Sequence, residues 1–102
     1  MSEFIMPIDP SYEEAILTRR KISIIHSERM GSPGDTFLAF GRSFIIVYTH
    51  KLPLWMLAAS DYYRECEGVR SASEMIAEIR RYCPDALDED PMHIHIFLEV
   101  WE

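Results

Sequence analysis

Leu17-Thr18-Arg19-Arg20-Lys21-Ile22-Ser23-Ile24-Ile25-His26, with Gly34-Asp35-Thr36 eight residues further on, is the stretch from which the rest of the chain is best understood. Three consecutive cations stand between a helical pattern and a β-branched one, inside a chain of formal charge −7. An acidic protein keeps itself soluble without such a cluster, so local positive charge on that background points to a specific anionic or polar ligand.

Upstream of the cluster, Asp9 followed by Pro10 predicts a short helix from Pro10 to Leu17. Asp9 is its N-cap, Pro10 its first residue, and Glu13 and Glu14 lie in its first turn. Arg19, Arg20 and Lys21 suit the negative end of its dipole, so the helix should close near Arg19. Downstream, Ile22 to His26 is predicted to be a strand and Met30 to Asp35 the loop that ends it. Thr36 to Phe40 and Ser43 to Thr49 flank Gly41-Arg42, and glycine at the first of two loop positions predicts a type II′ hairpin.

Pro53 to Tyr63 predicts one broken helix or two short ones. Ser71-Ala72-Ser73-Glu74 is a capping box that opens a helix running from Met75 to about Tyr82, with Pro84 as its stop. An acidic loop from Pro84 to Pro91 follows. His93, His95, Phe97, Glu99 and Trp101 then alternate with Ile94, Ile96, Leu98 and Val100, the period-two pattern of a strand with one aliphatic face. The expected order is a helix, three strands, two helices and a last strand, with no internal repeat.

At 102 residues and 48% hydrophobic content, the chain reads as a single domain, 1–102, able to bury a core without staples. Its charge is uneven. Residues 1–51 carry six Lys or Arg and six Asp or Glu, whereas residues 52–102 carry four against eleven. That balance argues against a duplex-DNA surface, which needs many phosphate contacts. The two cysteines, Cys66 and Cys83, are too few and too far apart for a metal knuckle, and the N-terminus shows no export signal, so a cytoplasmic protein with free thiols is expected. No apolar run approaches membrane-spanning length.

This order of elements resembles the ASCH domain, a branch of the PUA-like superfamily. The residues that carry the resemblance are Arg20-Lys21-x-x-Ile24-Ile25, Pro33-Gly34-Asp35-Thr36, the hairpin, Ser73-Glu74 with Tyr82 and Pro84, and the closing aromatic strand. The resemblance implies an α+β fold, a small mixed β-barrel flanked by short helices. Among similarly small members the chain is similar to N(4)-acetylcytidine amidohydrolases, whose site comprises a lysine, a threonine three residues on, and a glutamate before the last helix. Those positions are Lys21, Ile24 and Glu74 here, and the arginine usual two residues beyond the threonine is His26.

Isoleucine has no hydroxyl to attack a carbonyl, so the threonine mechanism does not transfer intact. The expectation is therefore a domain binding RNA or a modified nucleoside, with Arg20, Lys21, Ile24, His26 and Glu74 lining a cleft. The alternative is an amidohydrolase in which Lys21 and Glu74 are the catalytic pair and activate water. Two further readings accompany these: Glu74 serving only its capping box, and Arg19, Arg20 and Arg29 holding a phosphate backbone with tyrosines as stacking platforms. His93 and His95 share a strand face and could join His26 around a metal, but no fourth ligand is evident, and neither metal nor cofactor is expected.

Overall fold

A computed structural model describes residues 3–100 of the chain. The strands are β1 (Glu3–Ile5), β2 (Ser23–His26), β3 (Thr36–Ala39), β4 (Arg42–Pro53) and β5 (Pro91–Glu99). The helices are α1 (Glu13–Leu17), entered through a 3₁₀ turn at Pro10–Tyr12, then α2 (Leu54–Ala59), α3 (Asp61–Glu67) and α4 (Ala72–Tyr82). The five strands form one curved half-barrel sheet in the order β1-β3-β4-β5-β2, in which β1 alone runs parallel to its neighbour.

The local signals act as their chemistry requires. The Asp9 carboxylate accepts the Ser11 N–H at 2.8 Å and starts the 3₁₀ turn. The Ser71 hydroxyl accepts the Glu74 N–H at 3.1 Å, as expected for the cap, and the Glu74 carboxylate reaches back at 3.3 Å to the N–H of Arg70, one residue before the N-cap, rather than to that of Ser71 itself. The middle segment is two helices, separated at Ser60, whose hydroxyl caps α3 by accepting the Tyr63 N–H. The acidic loop in turn caps α2, since the carbonyls of Asp90 and Asp88 accept its first N–H groups, at Leu54 and Trp55.

Three expectations are corrected. The hairpin residues are Phe40 and Gly41, between the paired Ala39 and Arg42, and both have positive φ, which makes a type I′ turn. A short strand, β1, precedes the first helix, because pairing with β3 stabilises three residues too few to carry a pattern of their own. β5 has no single aliphatic face along its length. It is flanked on both sides by strands, and its middle residues are buried on both faces, Ile94 and Ile96 toward the helices and His95 and Phe97 toward the half-barrel interior. Trp101, expected to continue this strand, lies outside the described residues.

Two cores result. One lies inside the half-barrel, where Phe37, Phe44 and Phe97 pack with ring centroids 5.3–5.4 Å apart beneath Met6 and Ile16 of the N-terminal segment. The other lies between the sheet and α2–α4, around Leu54, Leu57, Met75, Ile94 and Ile96. β2 contributes to both, with Ile24 in the first and Ile25 in the second. Lys21 lies two residues before this strand and is buried.

Candidate functional site

The chain turns sharply between α1 and β2. Arg19 adopts a left-handed φ of 64°, and the N–H groups of Arg20 and Lys21 both donate to the Ala15 carbonyl. That turn carries Lys21 inward, and the C-terminal end of α3 meets it there. The Ile22 N–H donates to the Cys66 carbonyl at 2.7 Å. Gly68, with φ of 76°, permits the approach, because a Cβ at that position would stand 2.7 Å from the Arg20 carbonyl oxygen.

Glu67 is thereby placed beneath Lys21. The ammonium donates to Glu67 Oε1 at 2.6 Å, and the Ser23 hydroxyl donates to Oε2 at 2.5 Å. Lys21 and Glu67 side chains are 3% and 6% exposed, and Ser23 is fully buried. Removing two charges from water costs several kcal/mol each, so such a pair persists only with close geometry and satisfied lone pairs, which both carboxylate oxygens have here. The Tyr12 ring covers the ammonium, 4.4 Å from ring centroid to Nζ. Its hydroxyl donates a short hydrogen bond to Glu78 of α4, and its ring packs 5.8 Å from that of Tyr82. Burial first, and then the Glu78 carboxylate, push the Tyr12 hydroxyl far above its ordinary pKa, so it stays protonated as the donor.

Two cavities flank this seal. One, of about 220 Å³, is lined by Lys21, Arg19, Ile16, Ile22, Phe97 and Glu99, among others. Another, of about 410 Å³, lies past the Tyr12–Tyr82 pair and is walled in part by Ile24, His26 and Tyr82. A narrow space bounded by Tyr12, Lys21, Glu67 and Glu78 shares Lys21 with the first cavity, and Ile24 and Tyr82 with the second.

Of the residues expected in the cleft, Lys21, Ile24 and His26 border these cavities. Two are placed elsewhere. Arg20 is exposed and pairs with Glu14 at 2.9 Å. Glu74, expected to meet Lys21, is exposed at its capping box, and the carboxylate that takes Lys21 is Glu67, an exchange made by the docking of α3. Ile24 is buried among Met6, Ile16 and Phe37, on the opposite face of β2 from Ser23. Sequence reasoning missed Glu67, Ser23 and Glu78. Ser23 was visible in principle, since i, i+2 spacing puts it on the Lys21 face; Glu78, one helical turn beyond Glu74, was visible in the same way.

His95 is buried and fully used. Its Nε2 accepts the Met30 N–H at 2.9 Å, so Nδ1 carries the proton and donates to the Ile24 carbonyl at 3.1 Å. With both nitrogens engaged it offers no lone pair, and among the described residues no group of three His, Cys, Asp or Glu side chains could hold a metal. The tyrosines proposed as stacking platforms divide. Tyr12 covers Lys21, while Tyr62 packs on Tyr63 and Tyr63 on His50, itself beside Tyr48. No helix among the described residues is long and apolar enough to cross a membrane.

The half-barrel with its flanking helices is shared with solved structures. Hypothetical protein PH0355 superposes with a TM-score of 0.73 at 16% identity, covering 98% of this chain and 100% of that one. Protein EF3133 from Enterococcus faecalis V583, of family DUF984, gives 0.72 at 12% identity, covering 98% and 76%. An ASCH domain from Lactobacillus crispatus JV V101 gives 0.68 at 14% identity, covering 99% and 80%. No family model matches the sequence, and no curated protein does. The chain therefore has an ASCH-like α+β fold.

Proposed function

We propose that this chain is a nucleoside- or RNA-binding domain whose ligand occupies the cleft beside Lys21, with Glu67 in the role the sequence assigned to Glu74. The observation that carries the reading is the buried, closely bonded Lys21–Glu67–Ser23 cluster, of which Lys21 lines a largely apolar cavity while Glu67 and Ser23 hold it from behind. Apolar walls with a few fixed polar groups suit a flat heterocycle whose edge is read by hydrogen bonds. The ASCH-like fold agrees with a nucleic-acid partner. Arg19, at the cavity wall, and Arg20 outside it, would meet sugar-phosphate, and so few cations favour a single strand over a duplex. With two free thiols, Cys66 and Cys83, a reducing cytoplasm is the location that fits.

A hydrolytic reading is supported by one observation. The hydroxyl absent at Ile24 has a counterpart at Ser23, whose Oγ shares the Glu67 carboxylate with Lys21. Its complete burial favours binding over attack. A panel of modified nucleosides, assayed for both affinity and turnover, separates the two. Binding without turnover, weakened in the Lys21→Met/Glu67→Gln protein, is expected. Release of cytidine and acetate from N(4)-acetylcytidine, lost on Ser23→Ala, would replace the binding reading with the amidohydrolase.

A further inference from the structure

Glu99 of β5 lines the cavity beside Lys21. Register places it opposite Phe44 of β4, so its side chain shares the inner face of the half-barrel with Phe44 and Phe97. Arg42, at the start of β4, donates to Glu99 Oε1 at 3.0 Å, and the Glu99 side chain is 13% exposed. The other oxygen, Oε2, has no hydrogen-bond partner among the described residues, yet it is not sealed from solvent. The main chain of Glu99 also lacks a strand partner on one side. The Val100 N–H donates to the Ser43 carbonyl of β4 and the Phe97 N–H to the Ile22 carbonyl on the opposite side, so odd-numbered residues of β5 address β2 and even-numbered ones β4. β2 begins at Ser23, opposite Ile96, and leaves the N–H and C=O of Glu99 at an edge it does not reach.

With Ile16, Ile22, Phe44 and Phe97 as apolar walls, the cavity of about 220 Å³ is smaller than the roughly 300–1,000 Å³ of sites for drug-sized ligands, and it suits one base. A carboxylate paired with arginine only accepts hydrogen bonds. It repels the phosphate of a ligand and leaves a ligand acceptor placed against it unpaired, whereas an amino group brings the N–H that Oε2 lacks. We infer that Glu99 is the specificity-determining residue of the Lys21 cavity, selecting a nucleobase with an exocyclic amino group through Oε2 while Arg42 holds Oε1. This rests on the nucleoside reading above and adds to it a preference among bases.

Titration of the protein with matched pairs tests it: cytidine against 2-pyrimidinone riboside, and guanosine against inosine, each pair differing by one amino group. In at least one pair the amino-bearing member should bind about tenfold tighter, the low end for a hydrogen bond to a charged acceptor. Glu99→Gln keeps the shape of the side chain, and because Arg42 draws the amide oxygen, the amide nitrogen faces the ligand as a donor. In that variant the preference should vanish while the amino-less member binds as before, which also shows that the variant is folded. Equal affinity within both pairs overturns the inference, and so does a preference for the amino-less members, an amino preference that survives in Glu99→Gln, or the loss of all binding in that variant. If equal binding within the pairs is weakened in Lys21→Met/Glu67→Gln, the nucleoside reading survives without the inference. Failure of all four nucleosides to bind the wild-type protein overturns both.

Discussion

Lys21 and Glu67 are 46 residues apart in the chain, yet Nζ and Oε1 lie 2.6 Å apart with both side chains almost wholly buried. Breaking such a pair from one side leaves an unpartnered charge in the interior. Lys21→Met alone should cost about 3–5 kcal/mol of unfolding free energy. Lys21→Met/Glu67→Gln should recover most of it, since a neutral amide still accepts from Ser23. Denaturant titration of both variants checks this, and equal destabilisation of the two would show that the pair is not the source.

Gly68→Ala tests the docking that brings Glu67 to the site. Its Cβ would meet the Arg20 carbonyl at 2.7 Å, in a left-handed conformation that alanine disfavours. A loss of about 1–3 kcal/mol is expected, with weaker nucleoside binding because α3 must retreat. A melting temperature matching that of the wild type would contradict the close approach.

Ile24→Thr should not create an enzyme. The side chain is 4% exposed in the half-barrel core, across β2 from Ser23. Burying a hydroxyl there without a partner should cost about 1–3 kcal/mol. The variant should unfold earlier and release no acetate from N(4)-acetylcytidine; measurable turnover would refute this placement.

Acid should destabilise the protein through its buried histidines. Unfolded His26 takes a proton near pH 6.5 and folded His26 only near pH 4, so the unfolded state holds more protons between those values. The contribution of His26 is therefore fully present above about 6.5 and is lost as pH drops toward 4. Burial shifts His95 in the same direction. Unfolding midpoints at pH 7.5, 6 and 5 should decline steadily, and His26→Phe should flatten the slope.

Any RNA affinity should be weak and mildly salt-dependent. With two or three phosphate contacts, the logarithm of the binding constant should fall against that of salt with a slope of about −1.5 to −2 for a single strand. Titrations at two salt concentrations measure it; a slope near zero would exclude the arginines from binding.

What lay within a few residues was legible in the sequence. The Asp9 cap, the Ser71–Glu74 capping box and the break at Ser60 each join a side chain to a backbone group two or three positions away, so residue identity decides them. The hairpin was legible in place but not in register. Gly41 marked the turn, while the pairing of Ala39 with Arg42 moved its first loop residue back to Phe40. The two-faced burial of β5 was not legible as such, because alternation describes one strand and not what covers each side of it.

The sequence by itself determined the order of elements from the first helix to the last strand, though not β1, and it singled out Lys21, with a carboxylate as its partner if the lysine is desolvated. Eleven acids occur in residues 52–102, and the family resemblance pointed to Glu74, whose spacing from Ser71 serves a helix cap instead. Only the tertiary structure chose Glu67. The choice depends on the end of α3 resting against the Arg20 backbone, where the missing side chain of Gly68 leaves room, and contacts so distant in sequence are set by how helices and sheet pack together.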